Sequence, residues 1–218
     1  MTTMAAVTER IEQGRVIALA RLNDGRRLVE VARALLAGGL SLFELTLTTP
    51  GALEALAAVR AEFGDAFCLG AGTVLDLDSA VRSVAAGAQF IVTPILRRDV
   101  VQFCKDEGLV CICGAMTPSE MQTAWEWGSP YVKCFPANIG GPGYIRDVLG
   151  PLPHLRLITT GGVTAANAPQ FLEAGAVAVA VGGQLIDKQL VETGQFAAIT
   201  ERARAFAQLA RPPHPPTP

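Results

Sequence analysis

The stretch LFELTLTTPGALEALAAVRAEFGDAFCLGAG, residues 42–72, contains two short apolar runs separated by an amphipathic segment. The runs LFELTL (42–47) and FCLGAG (67–72) have the length and composition of β-strands. The segment between them opens with Thr49 and closes on Gly64, as helix caps require. A strand, a helix and a strand in this order predict parallel strands with a right-handed crossover.

The same alternation continues along the chain and recurs roughly every 20 to 25 residues. The other strand candidates are VIALA (16–20), FIVTP (90–94), LVCICG (109–114), YVKCF (131–135), LRLITT (155–160) and VAVAVG (177–182). Eight strand–helix units of this size predict a closed (β/α)8 TIM barrel, an α/β fold, with an open doubly wound sheet as the alternative. Residues 4–13 predict an extra N-terminal helix before the first strand.

Length and composition indicate a single large core. The chain has 218 residues, of which 50% are hydrophobic and 17% charged, as expected for a sheet covered on both sides. We therefore predict one (β/α)8 domain over residues 1–210. The terminal RPPHPPTP, residues 211–218, has no core-forming residue and predicts a disordered, proline-rich tail.

Several classes of partner are disfavoured by the sequence. The formal net charge of −2 and the dispersed arginines form no basic stripe, so no nucleic acid is expected. The five cysteines form no CxxC pair and have no histidine at ligand spacing, so we expect no metal site. The N-terminus does not resemble a signal peptide, and no run has the length of a membrane span. A soluble, cytoplasmic protein with free buried thiols is predicted.

A lysine in a buried strand is the clearest candidate for chemistry. Only three of the 18 basic residues are lysines, and Lys133 lies inside the apolar run YVKCF. Strand alternation places Lys133 on the face opposite Val132, and Glu44 on the face opposite its own apolar neighbours in LFELTL. If the apolar sets pack against the helices, Lys133 and Glu44 face each other inside the barrel.

Two interpretations of this pair remain open from the residues alone. It could be a structural ion pair, although buried pairs add little net stability because desolvation cancels most of the attraction. Alternatively, an apolar site favours the neutral amine, which can attack a ketone and form a Schiff base. Glu44 would then transfer the protons that such chemistry requires.

Two glycine pairs predict a phosphate site. TTGGVT (159–164) and VGGQL (181–185) follow the seventh and eighth strands, where barrels commonly bind phosphate through backbone N–H groups. Glycine lets the main chain approach an anion closely. GGPG (140–143) could form a third wall of this site or be only a loop.

Together these residues resemble the 2-keto-3-deoxy-6-phosphogluconate (KDPG) aldolases and the related 6-phosphogalactonate and 4-hydroxy-2-oxoglutarate (KHG) aldolases. The similarity extends from residue 17 to beyond residue 195. The motifs that carry it are FELTLTT (43–49), GAGTV (70–74), GAQFIVTP (87–94), VKCFPA (132–137) and TTGGVT (159–164).

The resemblance implies a role for each matching residue. Lys133 corresponds to the Schiff-base lysine, Glu44 to the catalytic acid and base, and Thr73 to the hydroxyl that holds the substrate carboxylate. The remaining substrate-binding candidates are Pro94, Phe135 and the phosphate-loop glycines Gly161, Gly162, Gly182 and Gly183.

The sequence departs from the family pattern at two positions. Thr48 stands where many phosphogluconate-type members have a substrate-binding arginine, and Arg21 at the end of the first strand could replace that charge. Gln184 stands where a small hydroxyl usually follows the second glycine pair. The segments 48–50 and 141–153 look more like the phosphogalactonate branch.

The implied activity is that of a metal-independent class I aldolase that needs no cofactor and is typically trimeric. It would cleave a phosphorylated 2-keto acid to pyruvate and glyceraldehyde 3-phosphate, with 4-hydroxy-2-oxoglutarate as an alternative substrate. Two other functions stay open: an isomerase that uses Glu44 as base and Lys133 only as a charge, and a non-catalytic sugar-phosphate binder.

Overall fold

The structure, a computed structural model, describes residues 3–209, so the predicted tail at 211–218 lies outside the described residues. The strands are β1 Val16–Ala20, β2 Leu42–Thr46, β3 Cys68–Gly72, β4 Phe90–Val92, β5 Val110–Ala115, β6 Tyr131–Cys134, β7 Leu157–Thr160 and β8 Ala178–Val181. The helices are α1 Met4–Gly14, α2 Leu28–Ala37, α3 Ala52–Phe63, α4 Leu77–Ala85, α5 Arg98–Asp106, α6 Pro118–Glu126, α7 Gly141–Leu149, α8 Ala168–Glu173, α9 Lys188–Glu192 and α10 Phe196–Leu209.

The eight strands form a closed parallel barrel in chain order, which confirms the predicted (β/α)8 fold. Closure is made by β1 and β8, where Val16 pairs with Val179 and Ala18 with Val181. This pairing excludes the open doubly wound alternative. All eight predicted strands are present, with ends that differ from the predicted ones by at most two residues.

Side chains cap some helix starts, but the cap predicted at Thr49 was wrong: Gly51 precedes α3 without a side-chain cap, and the Thr49 hydroxyl instead accepts from the Leu22 N–H at 3.0 Å. Asp76 begins α4 by accepting a hydrogen bond from the Ser79 N–H at 2.7 Å. Thr117 and Glu120 form a reciprocal capping box at the start of α6. Such caps satisfy backbone N–H groups that have no partner within the helix, so these two helices begin at defined positions.

Alternating side chains along the strands build two apolar layers. The outer layer, between strands and helices, includes Phe43, Leu45, Val132 and Cys134. The inner layer fills the barrel and contains the first residue of five consecutive strands: Leu42, Cys68, Phe90, Val110 and Tyr131. These five side chains therefore occupy the amino-terminal end of the barrel, and Glu44 and Lys133, each two residues further along its strand, lie above them.

The predicted N-terminal helix, α1, closes that end. Its buried residues Val7 and Ile11, one helical turn apart, belong to the inner layer. Beside them Arg156 forms an ion pair with Glu12, donates a hydrogen bond to the Tyr131 hydroxyl at 2.9 Å and lies 4.4 Å from the ring centroid. Burial raises the pKa of Tyr131 to about 12.

Candidate active site

Lys133 on β6 and Glu44 on β2 point into the barrel, above the five side chains at its amino-terminal end. Both are buried, with exposures of 3% and 1%. Lys133 Nζ lies 3.8 Å from Glu44 Oε1, so the two groups form an ion pair that is too long for a hydrogen bond. Within the described residues Glu44 Oε1 accepts no hydrogen bond. A buried carboxylate oxygen without a donor is costly in a purely structural pair.

Thr73 directly follows β3 and has an unusual backbone conformation. Its φ is 59°, in the left-handed region that β-branched residues rarely adopt. In the described chain, Arg15 is the other non-glycine residue with positive φ, and it ends α1. Backbone strain of this kind is more frequent at functional sites than elsewhere, and the carboxylate-binding role that the resemblance implies for Thr73 stays a prediction.

Pro94 and Thr48 also lie just beyond strand ends. The backbone carbonyl of Pro94 packs so closely against Gly114 on β5 that a Cβ at this position would overlap it. Thr48 is exposed, and its Oγ1 lies 3.1 Å from Thr46 Oγ1. Thr46 in turn donates a hydrogen bond to the Ala20 carbonyl at 2.9 Å. Thr48 is thus held, through Thr46, at the carboxyl ends of β1 and β2.

A cavity of about 660 Å³ lies at the carboxyl ends of β1, β6, β7 and β8. Seven of the predicted substrate-binding residues line it: Arg21, Phe135, Gly161, Gly162, Gly182, Gly183 and Gln184. The Phe135 ring centroid lies 5.5 Å from Lys133 Nζ, which connects the buried ion pair to the cavity. The other predicted site residues are not among the lining residues: Lys133, Glu44, Thr73, Pro94 and Thr48.

The glycine pair after β7 has a backbone conformation that requires glycine. Gly161 and Gly162 both have positive φ, of 97° and 69°. A Cβ on Gly162 would lie 2.4 Å from the Asn138 Cβ, so the close approach of the two loops requires glycine. Asn167 fixes this loop by donating to the Gly162 carbonyl at 2.9 Å and accepting from the Thr164 N–H at 2.8 Å.

One predicted wall of the phosphate site is absent from the cavity lining, and two residues without a predicted role are present in it. GGPG contributes to the start of α7 and does not line the cavity. Thr160 lines the cavity, is 6% exposed, and its Oγ1 has no hydrogen-bond partner among the described residues. Lys188 lines the same cavity. The sequence could have indicated Lys188 as a candidate, because it is one of only three lysines in the chain.

No group of His, Cys, Asp and Glu side chains within residues 3–209 is arranged to hold a metal ion. In the same residues, no helix has the length and apolar character needed to span a membrane. All five cysteines are free and buried.

Polar groups at the carboxyl ends of the strands, above a packed core, are the arrangement of a (β/α)8-barrel enzyme. A family model described as "KDPG and KHG aldolase" matches residues 7–202. The chain belongs to this family, and it is therefore an aldolase, a carbon–carbon lyase.

Relatives and solved structures agree with this assignment. The 2-dehydro-3-deoxy-phosphogluconate aldolase of Treponema pallidum is 34% identical over 207 residues, which cover 94% of this chain and 98% of that protein. KDPG aldolase from Legionella pneumophila, solved with pyruvate captured as a covalent carbinolamine, superposes with a TM-score of 0.85 at 27% identity, covering 94% and 98% of the two chains. A native KDPGal structure has a TM-score of 0.82 at 28% identity, covering 89% and 93%.

Proposed function

We propose that this chain is a class I aldolase that cleaves a 2-keto-3-deoxy-6-phospho sugar acid, of the gluconate or galactonate type, to pyruvate and glyceraldehyde 3-phosphate. The observation that carries the proposal is the buried Lys133 amine, 3.8 Å from an otherwise unpartnered carboxylate oxygen of Glu44. Lys133 Nζ also lies 5.5 Å from the ring centroid of Phe135, which lines the cavity that contains the two glycine loops. The covalent carbinolamine in the Legionella relative supports the same chemistry.

The proposed reaction begins when Lys133 passes a proton to Glu44 and its amine adds to the C2 carbonyl. Glu44 then gives that proton to the carbinolamine hydroxyl, which leaves as water and yields a protonated imine. Glu44 accepts the proton of the C4 hydroxyl, directly or through water, as the bond between C3 and C4 breaks. The electron pair of that bond moves into the imine and forms an enamine, while C4 leaves as the aldehyde. Glu44 returns a proton to C3, and water then releases pyruvate from Lys133.

Substrate orientation is assigned by position in the barrel. We infer that the Thr73 hydroxyl holds the carboxylate near β3 and that the glycine loops after β7 and β8 hold the phosphate. The sequence suggested Arg21 for the carboxylate. Because Arg21 lines the cavity with both glycine loops, we instead assign its guanidinium to the phosphate end. Fixing both ends of the substrate aligns the breaking bond.

A second candidate substrate is 4-hydroxy-2-oxoglutarate, which lacks the phosphate. The family model includes KHG aldolases, and the chain has Thr48 at the position where a charged side chain was expected from the resemblance. The relative kcat/KM for the phosphorylated and unphosphorylated acids decides between the two.

We further propose that the protein is a homotrimer in a reducing, cytoplasmic compartment. Leu75, Leu77 and Val81, around the start of α4, are 43%, 44% and 46% exposed, and burial of exposed leucine and valine would favour self-association. The free, buried thiols fit a reducing environment. Sedimentation of the purified protein tests the trimer.

Borohydride reduction in the presence of pyruvate, followed by peptide mapping, tests the proposed function. The expected result is a reduced pyruvyl adduct on Lys133, which is absent in Lys133→Met and retained in Lys105→Met. An enzyme that interconverts sugar phosphates without an adduct would make Lys133 an electrostatic cation and favour an isomerase. Ligand binding with neither adduct nor turnover would indicate a non-catalytic binder.

A further inference from the structure

Lys188 is the first residue of α9, which follows the second glycine loop. Asp187 caps this helix by accepting from the Leu190 N–H at 3.1 Å. The Lys188 side chain is exposed and lines the 660 Å³ cavity together with Arg21 and the two glycine pairs. It also lines a smaller, adjoining cavity of about 260 Å³, so it stands in the wall between the two.

A chain of hydrogen bonds holds the Lys188 ammonium in place. Its Nζ donates to Asn23 Oδ1 at 3.1 Å, and Asn23 Nδ2 donates to Glu192 Oε1 at 2.6 Å. The amide of Asn23 therefore links Lys188 to Glu192 on the side of the smaller cavity, which both partners line, and the ammonium retains further N–H donors for the larger one. Within residues 3–209 Lys188 makes no direct ion pair, so its positive charge is oriented without being neutralised by contact.

The charges that line the large cavity favour an anion. Arg21 and Lys188 are its two cationic residues, and Asp187 is its acidic one. The Asp187 carboxylate is engaged with the start of α9. Arg21, like Lys188, has no ion-pair partner in the described part of the chain. Two unneutralised cations beside glycine loops suit a phosphate dianion better than a neutral hydroxyl group.

We propose that Lys188 is a specificity-determining residue that selects phosphorylated over unphosphorylated 2-keto acids, with Asn23 and Glu192 as the residues that position it. This inference rests on the proposed function and extends it by naming the residue that supplies phosphate selectivity. Lysine binds phosphate as a point charge, so its contribution follows the charge of the substrate and disappears when the phosphate is absent.

Four variants separate charge from packing at this position. Lys188→Gln keeps a group that can donate to Asn23 but removes the charge, while Lys188→Arg keeps the charge. Asn23→Ala removes the anchor, and Lys105→Met is a matched loss of an exposed lysine on α5. Each variant is assayed with 2-keto-3-deoxy-6-phosphogluconate and with 2-keto-3-deoxygluconate, which has a neutral hydroxyl group in place of the phosphate, and its Tm is measured.

The expected result is a loss of about tenfold or more in kcat/KM for the phosphorylated acid in Lys188→Gln, expressed in KM. The value for the unphosphorylated acid changes less than about twofold, because that substrate carries no phosphate. Lys188→Arg restores most of the selectivity, Asn23→Ala shows an intermediate loss, and Lys105→Met changes neither substrate.

Equal changes for both acids in Lys188→Gln, or no change for either, overturn the inference and leave the proposed function standing if the wild type still forms the Lys133 adduct with pyruvate. A wild type that forms no adduct and cleaves neither acid overturns both. Loss of selectivity in Lys188→Arg as large as in Lys188→Gln also overturns the inference, because charge would then not be the property that matters.

Discussion

Gly72 lies directly against the carboxylate of Glu44. A Cβ added to Gly72 would overlap Glu44 Oε1 and lie 2.6 Å from Cδ and 2.8 Å from Cγ. Gly72 is paired with Thr46 of β2, two residues beyond Glu44 on the same strand. A glycine at the end of β3 is therefore required for Glu44 to lie beside Lys133.

We predict that Gly72→Ala displaces the Glu44 carboxylate and lowers kcat by about 100-fold, since misplacing a catalytic group by about 1 Å has that effect. Pyruvate should still form the borohydride-trapped adduct, because Lys133 is not moved by the added methyl group. Gly150→Ala is the matched control, since a Cβ there makes only ordinary contacts. Steady-state kinetics that leave kcat unchanged would contradict the role of Glu44.

The Lys133–Glu44 pair should be more important for activity than for stability. Lys133→Met leaves an unpaired buried carboxylate, and we expect the free energy of unfolding to fall by about 3 kcal/mol. The double variant Lys133→Met/Glu44→Leu removes both charges and should recover most of that stability, yet remain without turnover. Urea unfolding and aldolase assays measure the two properties. Recovery of activity in the double variant would refute the Schiff-base mechanism.

Thr73 should lower the stability of the fold and improve substrate binding. Its left-handed backbone costs about 1 to 3 kcal/mol, whereas glycine adopts φ 59° freely. We expect Thr73→Gly to unfold at a urea concentration no lower than that of the wild type, and to raise KM for the keto acid about tenfold through loss of the hydroxyl. Thr73→Ser, which keeps the hydroxyl, should keep KM close to the wild-type value.

The buried cysteines predict a stability loss at high pH. Burial raises the pKa of Cys68 and of Cys134 from 9.0 to about 11. Because folding favours the neutral thiol, this stabilisation is complete below pH 9 and is lost as pH rises through 11. Unfolding free energy measured between pH 8 and 11 should therefore fall, and part of the fall should disappear in Cys134→Ala.

Thiol reactivity gives an independent check of the same pKa values. At pH 8 only about 0.1% of a thiol with a pKa near 11 is thiolate, the form that reacts. A disulfide reagent should therefore label the native protein slowly and all five cysteines quickly in denaturant. Rapid labelling of the folded protein would show that these side chains are accessible.

The barrel could be predicted because each strand–helix unit carries its own signals. Val16–Ala20 and Ala178–Val181 were both recognisable as strands, and the helix caps separated them from their neighbours. What periodicity could not supply was the register in which β1 pairs with β8, because it depends on the tilt and stagger of all the strands.

The site was predictable where alternation determines direction and less so where loops determine it. The inward orientation of Lys133 and Glu44 followed from strand parity, and their distance from each other did not. The close approach of Gly72 to Glu44 could not be predicted, because the two residues lie on neighbouring strands. Lys188, like Lys133, is one of only three lysines in the chain. It begins a helix after a loop, however, where the direction of a side chain cannot be inferred from the two-residue period of a strand.

The closure of the barrel by α1 has a kinetic consequence for the proposed reaction. With Val7 and Ile11 filling one end, reactants and products share the mouth at the other. In that reaction pyruvate on the buried Lys133 would lie deeper than the aldehyde, so we expect the keto acid to load first in the synthetic direction and to leave last in cleavage. Initial-rate and product-inhibition patterns should then be those of an ordered mechanism rather than a random one.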